Sequence, residues 1–229
     1  MQYMEKGDTM PKQSRKQQAY NSIKHKILSC EYMPSSFLNE DLLCEEFQVS
    51  RTPIRDALSR LEQEHLIKII PKKGFIVSPL TVGEINMAFE VRFLLEPYVI
   101  LNYCKNMNYT DLDKMFAIVE ECRMMNKTSP KEDLYESDDN FHQIIMNQCT
   151  NRYVLQTYAN VQDQNCRFRI LSGRYEEQRL KSTIDEHLSI LDNLAKGNLE
   201  PAAEQMKSHL DNSKQAAFRT FLNSNNSII

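Results

Sequence analysis

Four polar side chains in the C-terminal part of the sequence have the types and spacing of metal ligands. The segment SDDNFHQII places Asp138 and His142 four residues apart, on the same side of a predicted helix as Phe141. Further along the chain, His187 and His209 each share a predicted helix face with apolar side chains. One carboxylate and three neutral imidazoles are good ligands for a divalent transition-metal ion.

The spacing of the last two histidines predicts where they meet. The loop KGNLEP separates their helices, and position 198, midway between His187 and His209, falls inside it. If the helices fold back as a hairpin, both imidazoles lie at one level, opposite Asp138 and His142. A single histidine on an apolar face is more often a core residue than a ligand. Four such groups would be costly to bury without partners, so the pattern favours a metal site.

The nature of the ligands limits the metal only in part. Nitrogen and oxygen donors suit Zn, Ni, Mn or Fe(II), and the sequence does not choose among them. The coordination sphere could keep positions open to water or to the oxygens of a bound effector. We interpret the remaining histidines, His25 and His65, as structural residues of a different region.

A second group of residues could contact nucleic acid. Over VSRTPIRDALSRLEQEH, apolar side chains recur on one face of a predicted helix, namely Ile54, Ala57, Leu58 and Leu61. Thr52, Arg55 and Ser59 fall on the opposite face, and Arg51 flanks its N-terminal end. Such a face is available to reach outward from a packed helix.

The elements around this helix predict a winged helix-turn-helix. QQAYNSIKHKILSCE has the pattern of a first helix. Asn39 is placed to cap a short second helix, whose buried face would comprise Leu42, Leu43 and Phe47, and Ser50 or Thr52 can cap the third. The β-branched segments LIKII and FIVS, joined by PKKG, are typical of a hairpin. Two helices, a tight turn and a hairpin together make a winged helix.

From Thr81 onward the sequence predicts an all-α bundle of about six helices. Breaks are expected near residues 106–109, 128–130, 150–151, 172–175 and 197–198. The fold class is therefore mainly α, with an N-terminal winged helix-turn-helix and a C-terminal all-α helical bundle. The predicted organisation is a flexible tail at 1–14, a winged helix at 15–79, the helical domain at 80–222 and a tail at 223–229.

Composition narrows the classes of protein. Residues 1–79 carry 12 Lys/Arg and 10 Asp/Glu, a net of +2, whereas the remainder carries 16 and 21, a net of −5. This bias is too weak to indicate nucleic acid by itself. No apolar run is long enough for a membrane span, and the polar N-terminus lacks the centre of a secretory signal. The six cysteines are scattered without a C-x-x-C pair, which favours reduced thiols and a cytoplasmic location.

The segment VSRTPIRDALSRLEQEHLIKIIPKKGFIV resembles the signature of GntR-family bacterial transcription regulators. The chain departs from that pattern at His65, where a glycine is usual, and at Asp41, where some members have a basic DNA-contacting residue. In such a fold the third helix enters the major groove, where Arg51 and Arg55 can each grip a guanine and Thr52 and Ser59 can reach bases or phosphates. At the wing, Lys72 and Lys73 would follow the backbone or minor groove, and Gly74 would allow a close approach.

The helical region resembles the FCD effector-binding domain of the FadR subgroup. The matching segments are D-x-x-F-H at residues 138–142, EH at 186–187, GNLEPAAEQMKSHL ending at Leu210, and VRFLLE at 91–96. The resemblance implies a metal bound by Asp138, His142, His187 and His209 beside a cavity for a small carboxylate. Arg92, Asn165 and Arg169, on inward faces, could complete that cavity, although Arg92 could equally form an internal ion pair with Glu96.

These expectations combine into a homodimeric, ligand-responsive regulator and not an enzyme. Its partners would be double-stranded operator DNA and a small carboxylate effector, with no membrane. A metalloenzyme is the rival from another class, but Glu186 points about 100° away from His187 and provides no general base on the same face. In a third interpretation, the chain is a regulator whose metal only stabilises the bundle.

Overall fold

The structure is a computed structural model that describes residues 14–125, 131–172 and 177–225. The chain divides into two compact units, and the second of them begins its continuous stretch at Pro79. The expected tail at 1–14 lies almost entirely outside the described residues, and so does the break at 128–130. The expected tail at 223–229 overlaps the last helix, which continues to Asn225.

The helices of the first unit are α1 (Arg15–Leu28), α2 (Glu40–Phe47) and α3 (Arg51–Gln63). The prediction of an N-cap at Asn39 is confirmed, because its side chain accepts hydrogen bonds from the backbone N–H groups of Asp41 and Leu42 at 2.8 and 3.3 Å. The predicted burial of Leu42 is wrong: its side chain is 63% exposed. Leu43 is the buried residue of this helix instead, because a helix of two turns presents only a narrow face to the core.

The third helix forms as its periodicity predicts. Its four apolar residues, Ile54, Ala57, Leu58 and Leu61, are buried. Ser50 holds the N-cap position, but its hydroxyl makes no capping hydrogen bond, so the predicted side-chain cap is absent at that residue. The helix is stabilised mainly by packing of its apolar face.

A three-stranded antiparallel sheet in the order β1-β3-β2 completes the wing, with β1 (Phe37–Leu38), β2 (Ile67–Ile70) and β3 (Gly74–Val77). The sequence did not predict β1, because two residues carry no periodicity. The hairpin turn requires left-handed backbone at Lys72 and Gly74, with φ of 63° and 99°. His65 has φ of 60°, the conformation that its place before the first wing strand suggested.

The second unit contains six α-helices within its described residues: α4 (Val82–Tyr103), α5 (Tyr109–Met124), α6 (Lys131–Met146), α7 (Arg152–Ser172), α8 (Glu177–Ala195) and α9 (Leu199–Asn225). α8 and α9 pack against each other around Gly197, whose φ of 72° suits glycine. α4 packs against α7 and α9. None of the described helices is both long and apolar enough to cross a membrane.

Candidate metal centre and nucleic-acid interface

The four predicted metal ligands come from three helices of the second unit. α6 carries Asp138 and His142, α8 carries His187, and α9 carries His209. One ligand atom from each lies within 4.8 Å of the others, and all four side chains are buried. The hairpin of α8 and α9 therefore brings its two histidines to one level, opposite the pair on α6.

Carboxylates fix the orientation of two of these imidazoles. His142 Nδ1 lies 2.7 Å from Glu96 Oε2, and His209 Nδ1 lies 2.7 Å from Glu186 Oε2. Burial alone would raise the pKa of each glutamate, but the neighbouring cations and hydrogen bonds lower both to about 2. Ionised carboxylates only accept hydrogen bonds, so each imidazole donates its proton from Nδ1.

This arrangement leaves lone pairs facing one another at the centre of the site. The Nε2 atoms of His142 and His209 are 3.1 Å apart. With both Nδ1 atoms protonated, neither neutral ring can donate to the other. Burial lowers the pKa of His209, and it holds the pKa of His187 well below its usual value, so the neutral forms are favoured. His187 Nε2 is buried and makes no hydrogen bond within the described residues.

A cation satisfies these groups together. Three imidazole lone pairs and one carboxylate are a donor set for a divalent transition-metal ion, so the residues present fit such an ion. Asp138 supplies the negative charge: burial would raise its pKa, but the charge of Arg169 holds it well below its usual range. His187 stacks on Phe141 with ring centroids 3.9 Å apart, which fixes its plane.

The three predicted effector contacts differ in their partners. Arg92 donates from Nε to Glu96 Oε1 at 2.6 Å, so the alternative of an internal ion pair is realised. Its Nη2 is buried without a hydrogen bond in the part of the chain that the structure describes, and the same holds for Asn165 Nδ2. Arg169 instead binds the carboxylates of Asp138 and Asp139. Arg92 and Asn165 thus keep donors to offer, whereas Arg169 holds a predicted metal ligand.

A small pocket reaches the cluster from the side of α5 and α8. Its polar lining includes Asp138, Thr183 and His187, and its remaining lining is Val119, Cys122, Leu180 and Ile184. The pocket reaches the carboxylate and imidazole edge of the site.

The predicted DNA-contacting residues of the first unit all face solvent. Arg51, Thr52, Arg55 and Ser59 are exposed on α3, and Lys72, Lys73 and Gly74 are exposed at the turn between β2 and β3. Arg51 Nη2 lies 2.8 Å from Asp41 Oδ1, and Arg55 Nε lies 2.8 Å from Glu40 Oε2. Both arginines therefore contact carboxylates of α2.

Comparisons with known families decide the class of protein. Residues 15–77 match the family described as bacterial regulatory proteins, gntR family, and residues 87–212 match the FCD domain. The chain belongs to the GntR family. It is a transcriptional regulator with an FCD domain. Helix-turn-helix regulators of this family bind operator DNA, and FCD domains bind small-molecule effectors.

Relatives of this GntR-family regulator include other bacterial regulators. The gluconate operon transcriptional repressor of Bacillus licheniformis is 31% identical over 175 residues, which cover 75% of this chain and 69% of that protein. The HTH-type transcriptional regulator YdhC of Bacillus subtilis (strain 168) is 27% identical over 199 residues, 85% of this chain and 87% of that one. The structure of E. coli McbR/YncC has the same fold, with a TM-score of 0.78 and 17% identity over 92% of this chain and 100% of that chain.

Sequence reasoning on the FCD domain missed the roles of Glu96 and Glu186. It paired Glu96 only with Arg92, and it set Glu186 aside because that residue turns away from His187. The structure shows that Glu186 turns toward α9, where it accepts from Asn212 at 2.9 Å, and it also accepts from Arg179 of its own helix at 2.8 Å. The sequence did carry a signal for this contact, namely a glutamate directly before a predicted ligand histidine. Successive residues of a helix point about 100° apart, so Glu186 can face the neighbouring helix of the hairpin while His187 faces the cluster.

Proposed function

We propose that this regulator binds a near-palindromic operator as a homodimer, and that a small carboxylate bound beside a divalent metal changes its affinity for DNA. The observation that carries the metal-dependent part is the meeting of three imidazole lone pairs and the Asp138 carboxylate in one buried cluster. Without a cation, the Nε2 lone pairs of His142 and His209 would face each other at 3.1 Å with no donor between them.

Recognition of the operator rests on α3 and the wing. Arg51 and Arg55 would read guanines in the major groove, supported by Thr52 and Ser59. Lys72, Lys73 and Gly74 would hold the duplex backbone. The exposure of all these side chains supports this assignment. A single winged helix makes few base contacts, so a specific operator calls for two half-sites and a second copy.

An exposed apolar stripe on α4 supports the homodimer. Met87, Leu94, Tyr98 and Leu101 recur at helical spacing, and each is between 41% and 66% exposed. A stripe of this kind on a surface helix marks an interaction surface. We assign it to a second copy of the chain, since operator symmetry demands a two-fold partner.

Two buried donors that make no hydrogen bond within the described residues support the effector class. A carboxylate could accept hydrogen bonds from Arg92 Nη2 and Asn165 Nδ2, which lie on the packed helices α4 and α7. The bound metal would supply a Lewis acid with open positions for the ligand's oxygens. Arg92 is charged, since its pair with Glu96 keeps its pKa above the ordinary value despite burial.

Regulation and catalysis can be separated by a linkage experiment. The metal-loaded protein is titrated by calorimetry with a panel of small carboxylates, each in the presence and absence of an operator duplex selected from a random library. Linkage requires that the factor by which an effector changes DNA affinity equals the factor by which DNA changes effector affinity. Equal effector affinities with and without DNA would contradict the proposal. They would favour the interpretation in which the metal only stabilises the bundle. Conversion of the carboxylate by the loaded protein would instead support the metalloenzyme.

A further inference from the structure

The two reading arginines of α3 are held by carboxylates in different ways. Glu40 contacts Arg55 through Nε, at 2.8 Å. Asp41 contacts Arg51 through Nη2, at 2.8 Å. The distinction matters because a guanidinium grips guanine O6 and N7 with two of its N–H groups held in one plane.

The contact through Nε leaves the end of the Arg55 guanidinium available. Nη1 and Nη2 can then approach a guanine together, while the bond at Nε fixes the plane of the group. Glu40 is itself well placed to hold it: it is the first residue of α2, after the Asn39 cap, where the helix dipole stabilises a carboxylate. Its side chain is 24% exposed, whereas that of Arg55 is 63% exposed. Glu40 is thus partly shielded from solvent, whereas the Arg55 side chain is exposed and can reach DNA.

The contact through Nη2 has the opposite effect on Arg51. It occupies one of the two amino groups that a bidentate grip through the end of the guanidinium requires. Both partners are largely exposed, at 64% for Arg51 and 68% for Asp41, and exposed pairs of this kind contribute little. Asp41 therefore competes with a base for Nη2 of Arg51.

We propose that Glu40 is a specificity-determining positioning residue, which presents Arg55 to a guanine of the operator. Asp41, its neighbour with the same charge, competes with DNA for Arg51 and serves as the matched control. The inference rests on the proposed function, namely operator binding through α3. It goes further by assigning base discrimination to an acidic residue of α2 that would otherwise only weaken the attraction to phosphates.

The test uses the full-length protein and a randomised duplex library. Wild type, Glu40→Gln, Glu40→Asp, Asp41→Asn, Arg55→Ala and the double variant Glu40→Gln/Arg55→Ala each select duplexes, which are sequenced. The affinity for the enriched sequence and for its single-base variants is then measured by fluorescence anisotropy. Circular dichroism verifies folding.

The expected results differ in kind between the two carboxylates. Glu40→Gln lowers discrimination at the base pair that Arg55→Ala identifies by about threefold to tenfold, because the amide oxygen still accepts from Nε but holds the guanidinium without charge assistance. Glu40→Asp does the same without changing the charge, because its side chain is too short to reach Nε. Asp41→Asn instead tightens binding to all sequences by about twofold to fivefold and keeps the preference at the base pair that Arg55→Ala identifies. In the Arg55→Ala background, Glu40→Gln has no further effect on discrimination.

Two results would overturn the inference. One is an unchanged base preference in both Glu40 variants. The other is a loss of discrimination that is equal with and without Arg55, which would mean that Glu40 acts only on the stability of α2. Failure of operator binding itself is seen separately, since the wild-type protein would then enrich no sequence.

Discussion

At the scale of single residues, the metal centre depends on which nitrogen of each imidazole carries the proton. Glu96 and Glu186 settle this for His142 and His209, because an ionised carboxylate at Nδ1 leaves Nε2 as the donor to a metal. Glu186 is in turn held by Arg179 and Asn212, so the orientation of His209 is supported by several side chains.

The role of Glu186 gives the first prediction. Glu186→Ala should weaken metal affinity by about 10-fold to 100-fold, because His209 loses the acceptor that orients it. Glu186→Gln should have a smaller effect, since the amide oxygen can still accept from Nδ1. Metal affinity is measured by chelator competition and bound metal by mass spectrometry. Glu204→Gln, whose carboxylate makes an exposed contact with Lys207, is the control. Wild-type affinity in Glu186→Ala would remove this carboxylate from the centre.

At the scale of the elements, the proposed operator binding assigns separate tasks to α3 and the wing. Arg55→Ala should weaken specific binding by about 1–3 kcal/mol and relax the preference at one base pair, because a bidentate contact is lost. Lys73→Ala should weaken binding to all sequences alike and flatten the salt dependence, because a phosphate contact is lost. Anisotropy titrations at several salt concentrations distinguish the two. The same sequence profile and salt slope for both variants contradict this division.

The first unit also contains a polar contact between α1 and the end of α3. Tyr20 donates to Glu64 at 2.7 Å, and Lys24 lies 2.9 Å from the same carboxylate. Burial would raise the pKa of Glu64, but these partners lower it below its ordinary value of 4.5. A lowered folded-state pKa means that the ionised carboxylate stabilises the fold. Its contribution is complete above the unfolded-state pKa and is lost as pH falls through the folded-state pKa.

The prediction for this contact is a pH-dependent loss of stability. Glu64→Gln should lower the free energy of unfolding of the first unit by about 1–3 kcal/mol at neutral pH, because a charged hydrogen-bonded group is removed. The difference from wild type should shrink once pH falls below the ordinary value of 4.5. Urea unfolding of the full chain is followed at the methyl groups of Ile23 and Ile54. Glu45→Gln, an exposed change on α2, is the control, and a difference that persists in acid contradicts the assignment.

The elements show what the sequence could and could not predict. Long periodic patterns predicted α3 and the helices of the bundle, and the hairpin spacing predicted that His187 and His209 would meet. The contact between Glu186 and His209 was not predicted, because it depends on the rotation of α8 against α9 and not on one helix alone. β1 was missed because two residues cannot show alternation. The burial of Leu42 was wrongly predicted because a short helix buries only a narrow face.

At the scale of the whole molecule, the metal should stabilise the second unit alone. An ion that binds only the folded cluster adds about 2.7 kcal/mol at a concentration of 100 times its Kd. Removing it with a chelator should therefore lower the melting temperature of the second unit and leave the transition of the first unchanged. Isoleucine methyl resonances report on each unit in turn. His209→Ala should be insensitive to the chelator, and an equal response in that variant contradicts the site.

Assembly provides the last prediction. Leu94→Glu should convert the proposed homodimer to monomers, because it places a charge in the exposed apolar stripe of α4 where a second copy would pack. Operator affinity should fall toward that of one half-site. Sedimentation gives the oligomeric state, and Phe116→Glu, on an exposed apolar side chain of α5 that is 54% accessible, is the control. A dimer that survives Leu94→Glu would place the interface elsewhere.

The two faces of α4 join the metal cluster to the molecular surface through one rigid body. Its inner face carries Arg92 and Glu96, the latter bonded to His142, and its outer face carries Leu94 and Tyr98. A helix rolls as a unit, so a roll of about 5° displaces side chains on opposite faces by about half an ångström in opposite directions. We therefore expect a ligand that lengthens or shortens the hydrogen bond between Glu96 and His142 to rotate α4 about its axis. If a second copy packs on that outer face, we expect this rotation to shift the packing between the two copies, although the second copy does not contact the ligand.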